Sequence, residues 1–295
     1  MIQRPQWLGL SDDQNTVTLT RFNGEFKTAE YFTPKWAEKN PNRIRKAAIV
    51  DLETTGLDIR KDKIIEIGIR NFLFDRSNGE VLKVEGSYSA LQDPCEPLNR
   101  IVQTVTGLTN KMLDGHSIEW GKVSSLLDDR DLIIAHNAGF DRPILERFCD
   151  STKEKIWGCS VSQIDWMNKG YSSAKLELLC IHHGFFTQAH RAIHDCDALL
   201  HLLSFKDQFS HEAHLNELIQ TARKPIVHIY ATNSPFESKD DLKIRGYRWN
   251  NNTKTWSKQL PKESVDEEIA WMETIVYNGS FGGEVKTVPL NGLFK

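Results

Sequence analysis

The segment AAIVDLETTGLD, residues 47–58, sets the tightest limit on what this chain can fold into. An apolar, β-branched run of this length belongs in the interior of a sheet. Here it runs straight into two acids, Asp51 and Glu53, before a turn at Gly56. Side chains two residues apart on a strand project to the same face. The two carboxylates therefore stand side by side at the end of a buried strand, where they repel each other and lose hydration. A hard divalent cation, magnesium or manganese, would offset both costs. Two solvated acids at a strand end satisfy the same pattern, so this segment alone leaves both readings open.

Around it the chain separates into regions. In residues 1–46, TVTLTRF and EFKTAEYF flank Asn23-Gly24, which predicts a β-hairpin in an N-terminal extension. Residues 47–208 read as three strands (AAIVDLETTG, KIIEIGIRNFLF, EVLKVEGSYS) followed by mostly helical stretches around the short apolar run DLIIAHN. The last helix, near 190–207, carries Ala192, Ala198, Leu199, Leu202 and Leu203 at helical spacing. That order predicts an α/β domain, a mixed sheet covered by helices. Residues 209–224 read as a linker or helix. Residues 225–295 form a small α+β domain: a strand PIVHIYA, a helix opened by Ser234-Pro235-Phe236-Glu237, a hairpin across NNNTK, and a helix from Ser264 that closes at Asn278-Gly279.

Two further segments carry acids. IIAHNAGFDRPILE places Asp141 early in a helix after a short strand, where an acid can simply favour the helix dipole. HRAIHDCDALLHLL places His190 five residues before Asp195. DLETTG, HNAGFD and H-R-A-x-H-D, in this order, resemble the three motifs of the DEDDh (DnaQ-like) 3′–5′ exonucleases, the superfamily of the polymerase III epsilon subunit and exonuclease X. VTGLT at 105–109 and LELLCIHHGF at 176–185 resemble its connecting segments. The resemblance spans 47–207 and implies a ribonuclease H-like, five-stranded mixed sheet. By the same resemblance, Asp51, Glu53, Asp141 and Asp195 match metal-binding acids and His190 a general base. His136, Asn137 and Phe140 match positions near the terminal nucleotide, and Thr54, Thr55 and Leu57 match those near its sugar and base.

The residue types suit that chemistry on their own terms. Phosphodiester hydrolysis needs an activated water and charge relief at the leaving oxygen, which two cations roughly 4 Å apart can supply between carboxylates. A neutral histidine can accept the water's proton near neutral pH. The expected function is removal of nucleoside 5′-monophosphates from the 3′ end of single-stranded DNA, with two Mg²⁺ or Mn²⁺ ions. An exoribonuclease of the same family, or a binding or scaffold protein that kept the fold, are the alternatives; acid chemistry does not report on the 2′-hydroxyl. A polymerase or repair partner is compatible with the resemblance, but no segment identifies one.

The spacings among Cys180, His182, His183, His190, His194 and Cys196 do not form the paired C-x₂₋₄-C and H-x₃₋₅-H pattern of zinc sites. A swap of His194 for His190 as base stays open. Trp120, Trp157 and Trp166 are expected to pack rather than stack on bases. Net charge is −3, yet Lys+Arg against Asp+Glu is 8 to 5 in residues 1–46, 18 to 24 in 47–208 and 11 to 11 in 209–295. The acidic excess thus lies in the central region. In the small domain, Arg245, Tyr247, Arg248, Trp249, Lys254 and Trp256 interleave cations with aromatics, as a nucleic-acid contact would; a compact core built on the tryptophans is the alternative. Five cysteines without C-x-x-C, no secretory-type start and no apolar run of about 18 residues point to a cytoplasmic protein with no membrane association.

Overall fold

The computed structural model describes residues 5–188 and 190–295. It divides into two compact units, one ending at Ala222 and including Phe294–Lys295, the other Arg223–Leu293. Among the described residues no helix is long and apolar enough to cross a membrane.

In the first unit the elements run β1 (Thr20–Arg21), α1 (Pro34–Lys39), β2 (Ile44–Thr54), β3 (Ile64–Asp75), β4 (Val81–Leu91), α2 (Arg100–Thr106), α3 (Asn110–Leu113), α4 (Trp120–Leu127), β5 (Leu132–Ala135), α5 (Ala138–Leu145), β6 (Trp157–Cys159), α6 (Leu176–His182), β7 (Phe185–Phe186), α7 (Ala192–Ser204) and α8 (His214–Ala222). β2 is the central strand of a mixed five-stranded sheet ordered β4-β3-β2-β5-β6. It runs antiparallel to β3 and parallel to β5. The expected α/β architecture with a five-stranded mixed sheet is therefore present.

The two faces of β2 serve different layers. Ala47 and Ile49 pack with Leu199, Leu202 and Leu203 of α7 and Leu215 and Leu218 of α8. Ala48, Val50 and Leu52 pack with Ile144 and Leu145 of α5 and Val123 and Leu127 of α4. The alternation that buries Ile49 under α7 also carries Asp51 and Glu53 toward that side, beyond the end of the core. The segment 209–224, read as a linker or helix, contributes α8, whose apolar face is buried in the first cluster.

The hairpin expected across Asn23-Gly24 does not form. Thr20–Arg21 instead pairs in parallel with Phe185–Phe186, and the described residues 25–32 contain no strand. Phe22 and Phe26 explain the difference: both pack on the first core cluster, and Phe22 lies 4.7 Å from the His201 ring. Burying those rings against the domain outweighs pairing the two short runs with each other, since an isolated two-stranded hairpin is marginal in water.

The second unit contains β8 (Ile226–Ala231), α9 (Lys239–Ile244), β9 (Arg248–Asn250), β10 (Thr255–Pro261), α10 (Val265–Trp271) and β11 (Glu284–Val288). Its four strands are ordered β11-β8-β10-β9 and every neighbouring pair is antiparallel. Neither Ser-x-x-Glu sequence closes as a side-chain cap: a 3₁₀ turn, Phe236–Ser238, precedes α9, and Ser264 caps α10 without a side-chain bond.

One glycine decides how close α7 comes to the sheet. Gly68 of β3 lies opposite Asp51, and a Cβ there would sit 2.3 Å from the Ala192 carbonyl carbon and 2.5 Å from the Ile193 nitrogen. Both are backbone atoms, so a rotamer change cannot relieve the clash. We expect Gly68→Ala to cost about 2–3 kcal/mol of stability in urea unfolding. A midpoint equal to that of the unaltered protein would show that α7 can retreat without cost.

Candidate active site

The acids converge from three elements. Asp51 and Glu53 come from the end of β2, and Asp141 from the first turn of α5, where its Oδ1 accepts a hydrogen bond from the Leu52 backbone N–H at 3.2 Å. Asp195 comes from the first turn of α7 and accepts from the His190 backbone N–H at 3.0 Å. Because β5 is parallel to β2, the helix that follows it starts at the same sheet edge as the two strand acids. Ligand atoms of Glu53, His190 and Asp195 all lie within 4.8 Å of one another. Asp51, His136, Asn137, His190 and Asp195 line a cleft of about 650 Å³ with Val161 and residues 173–177.

Crowding shows in the electrostatics. Burial drives the Asp51 carboxyl well above its ordinary range, reinforced by Asp141, Asp195, Glu53 and Glu66. Burial followed by Asp195 pushes Glu53 up to about 8. Burial raises Asp141 to about 7 against the opposing Leu52 bond, and Asp195 to about 6 against the bond from His190. Four carboxyls in so little water cannot all ionise by themselves. An oxygen-rich, charge-deficient cluster of this kind fits hard divalent cations.

The other expected residues fall into place unevenly. His136 lies on the cleft, its Nδ1 2.7 Å from the Ser160 hydroxyl, and burial holds its pKa down at about 4. Asn137 sits at the N-cap of α5 and on the cleft. Phe140 turns instead toward the second core cluster. Thr54 bonds to the Gly56 carbonyl and Thr55 to Asp62, so both hydroxyls shape the loop itself. Leu57 at that loop's tip is 87% exposed. His194 lines a separate cavity of about 220 Å³ with Arg21, Phe22 and Asp197. His183 lies in the core between Tyr171 and His214, and Cys196 packs against Ile49. Trp157 and Trp166 are buried, and Trp120 stacks on Phe148.

Two features escaped the sequence reading. Glu66, in β3 opposite Glu53, is fully buried and receives three hydrogen bonds from the Arg191 guanidinium. Arg191 follows His190, whose backbone is left-handed at φ 61°. An acid inside the otherwise apolar IIEIGI was the available signal, because such a residue needs a partner. Residues 173–175, also on the cleft, carried no signal, whereas Leu176 and Glu177 open the connecting segment LELLCIHHGF.

The interleaved residues of the second unit do not share a face. Tyr247 is buried, with its hydroxyl on the Met272 sulfur, and Arg245 bonds to Glu268. Trp249 and Trp256 face each other across β9 and β10, and Trp256 joins the core. Among these residues Arg248, Trp249 and Lys254 are exposed. Strand alternation and a need for bulky core groups explain the dispersal.

Comparison with known proteins bears on this arrangement. The RNase T exonuclease family model matches residues 48–203, just over half of the chain. The chain belongs to this exonuclease family. It is thereby a member of the DEDDh, DnaQ-like 3′–5′ exonuclease superfamily, whose members are metal-dependent hydrolases. DNA polymerase III of the PolC type from Thermotoga maritima is 32% identical over 126 residues, 40% of this chain and 8% of that protein. The Bacillus subtilis PolC-type polymerase is 30% identical over 168 residues, 52% of this chain and 11% of that protein. The chain thus spans about a tenth of the length of these relatives. A structure of exonuclease I is similar in fold, with a TM-score of 0.50 at 15% identity over 74% of this chain and 62% of that one. Exonuclease X in complex with 5′-overhanging duplex DNA is 20% identical with a TM-score of 0.41, covering 58% of this chain and 99% of that one.

The exonuclease acids also make a stability prediction. A carboxyl whose folded pKa exceeds its unfolded value destabilises the fold above the unfolded value, and the cost grows until the folded pKa is passed. With Glu53 at about 8, Asp141 at about 7 and Asp195 at about 6, metal-free stability should fall between the usual carboxylate range and pH 8. In EDTA at pH 8, Glu53→Gln should melt higher than the unaltered chain, and magnesium should stabilise the unaltered chain more. Equal melting temperatures with and without magnesium for both proteins would refute the cation-binding cluster.

Proposed function

We propose that this protein is a 3′–5′ exonuclease that hydrolyses single-stranded DNA from its 3′ end and releases nucleoside 5′-monophosphates. Asp51, His190 and Asp195 on one cleft, with Glu53 within 4.8 Å of the last two and Asp141 bonded to the Leu52 amide beside them, are the observation that supports this most directly. Asp51, Glu53, Asp141 and Asp195 would hold two Mg²⁺ or Mn²⁺ ions. When bound, the ions supply charge relief around the scissile phosphate and lower the pKa of water.

The chain's own residues do the rest. His190 is the general base: its exposed imidazole takes a proton as water forms a bond to phosphorus. The bond from phosphorus to the 3′-oxygen of the shortened strand breaks, and that oxygen is protonated from solvent. Asp195 holds the His190 backbone, and the Glu66–Arg191 pair anchors the next residue, which supports a defined place for the base. His136, kept neutral by burial, and Asn137 face the terminal nucleotide. The loop of Thr54 and Thr55 presents Leu57 to its sugar and base, consistent with that side chain's exposure.

Asp51→Ala should abolish release of mononucleotides from a 3′-hydroxyl oligonucleotide. His190→Ala should lower kcat by about 10²–10⁴ with little change in KM, the usual range for loss of a general base. His194→Ala, which alters the separate cavity, should leave kcat near that of the unaltered enzyme. Retained turnover in Asp51→Ala sinks the metal assignment, and a collapse in His194→Ala with normal His190→Ala exchanges the two histidines. Matched DNA and RNA oligonucleotides digested side by side test the choice of DNA; preference for RNA overturns it.

A further inference from the structure

The second unit presents a surface that the acid cleft does not use. Its elements follow the order β8-α9-β9-β10-α10-β11 and its sheet the order β11-β8-β10-β9. This is the split βαβ arrangement, in which both helices lie on one side of an antiparallel four-stranded sheet. Val227, Ile229, Ala231 and Leu260 face that side, packed with Leu242, Tyr247, Met272 and Val276.

The register assigns the opposite side residue by residue. Arg248, Ser257, Tyr230 and Glu284 form one row across the four strands, and Gln259, His228 and Lys286 form the next. His228 and Tyr230, two apart on β8, stack with ring centroids 4.4 Å apart and 28° between planes, and the Tyr230 hydroxyl lies 3.1 Å from His228 Nδ1. The Lys286 ammonium stands 5.2 Å from the Tyr230 ring centroid and 3.1 Å from the Glu284 carboxylate, which it neutralises. Arg248, Gln259 and Lys286 are exposed. These two rows are polar and carry two rings, and the row beyond them, Pro261, Ile226 and Val288, is aliphatic. The face offers two flat rings on an inner strand, cations on the two edge strands, and one acid already paired.

We propose that this open sheet face binds single-stranded DNA, with a base stacked on the His228–Tyr230 pair and phosphates met by Lys286 and Arg248. A stacked ring pair is what an unpaired base needs, and flanking cations suit a backbone that carries one charge per nucleotide. An apolar protein partner would want exposed aliphatic groups; the two rows lack them, and Pro261, Ile226 and Val288 in the next row are partly buried. Four-stranded sheets of this topology bind single strands through ring stacking in other proteins. That is an analogy of fold; here the row of named side chains carries the argument. The surface differs from the patch read from the sequence, because Arg245, Tyr247 and Trp256 belong to the helix-facing side. The choice of DNA rests on the proposed exonuclease reading; the binding surface itself does not.

The test is equilibrium binding of fluorescein-labelled oligothymidylate to the full chain in EDTA, where hydrolysis does not interfere. Tyr230→Ala and Lys286→Glu should each weaken binding about tenfold, the scale of one lost base stack or a reversed phosphate contact. Tyr230→Phe, which keeps the ring and loses only the hydroxyl, should bind as the unaltered chain does. Lys239→Glu, the same charge change on α9, should have no effect. Lys286 is exposed, so its variant decides the matter even where Tyr230→Ala fails to fold. Unchanged affinity in Lys286→Glu and in a folded Tyr230→Ala overturns the proposal, and tighter binding of a matched RNA overturns the assignment to DNA. Cleavage of a thymidine dinucleotide by the unaltered chain, measured separately with magnesium, reports the acid site alone, so failure there leaves the binding result readable.

Discussion

Four carboxyl groups share one end of the central sheet where burial has removed most of the water that would keep them charged. Each would prefer to keep its proton, and each would be useless as a metal ligand if it did. Much of the first unit answers this conflict. The parallel pairing of β2 with β5 starts α5 beside the strand acids, so that the Leu52 amide can donate to Asp141. The absence of a side chain at Gly68 lets α7 lie against β3 and bring Asp195 within reach of Glu53. The fold assembles acids whose mutual repulsion a divalent cation would offset.

Glu66 and Arg191, an ion pair built into this neighbourhood, have a different purpose. Glu66 is buried beside the acids, yet it is matched by Arg191. Such a pair, with its acid buried and its arginine partly exposed, adds little net stability against an apolar alternative, and its common use is to specify one arrangement. Here it ties the start of α7 to β3, one residue after His190. The strand Phe185–Phe186, paired with Thr20–Arg21, restrains the chain before it. The N-terminal segment thereby becomes part of the first unit's architecture, and His190 lies between two anchored segments.

The two units use opposite physical strategies. The acid cleft gathers like charges in a concave place poor in water, which suits hard cations. The open sheet of the second unit spreads rings and cations over a flat, hydrated surface, where base stacking and phosphate attraction can act without specific hydrogen-bonded readout. Both depend on the two-residue period of a strand, which aligns Asp51 with Glu53 and His228 with Tyr230.

The sequence by itself determined the acid-bearing strand, because an apolar run ending in Asp-x-Glu has one reasonable placement in a sheet. It also made the order of strands and helices legible, since each has its own hydrophobic period, and named the acids and histidine through three ordered motifs. Tertiary structure decided what depends on distant partners. Whether TVTLTRF pairs with its neighbour or with Phe185–Phe186 turned on where Phe22 and Phe26 could be buried. The role of Glu66 needed Arg191, 125 residues away. Which cations and rings of the second unit share a surface needed the register of four strands, because a shift of one residue sends every side chain to the other face. Local periodicity is written in adjacent residues; shared faces and buried ion pairs come from pairings between segments far apart in the chain, and these form only when the whole core closes.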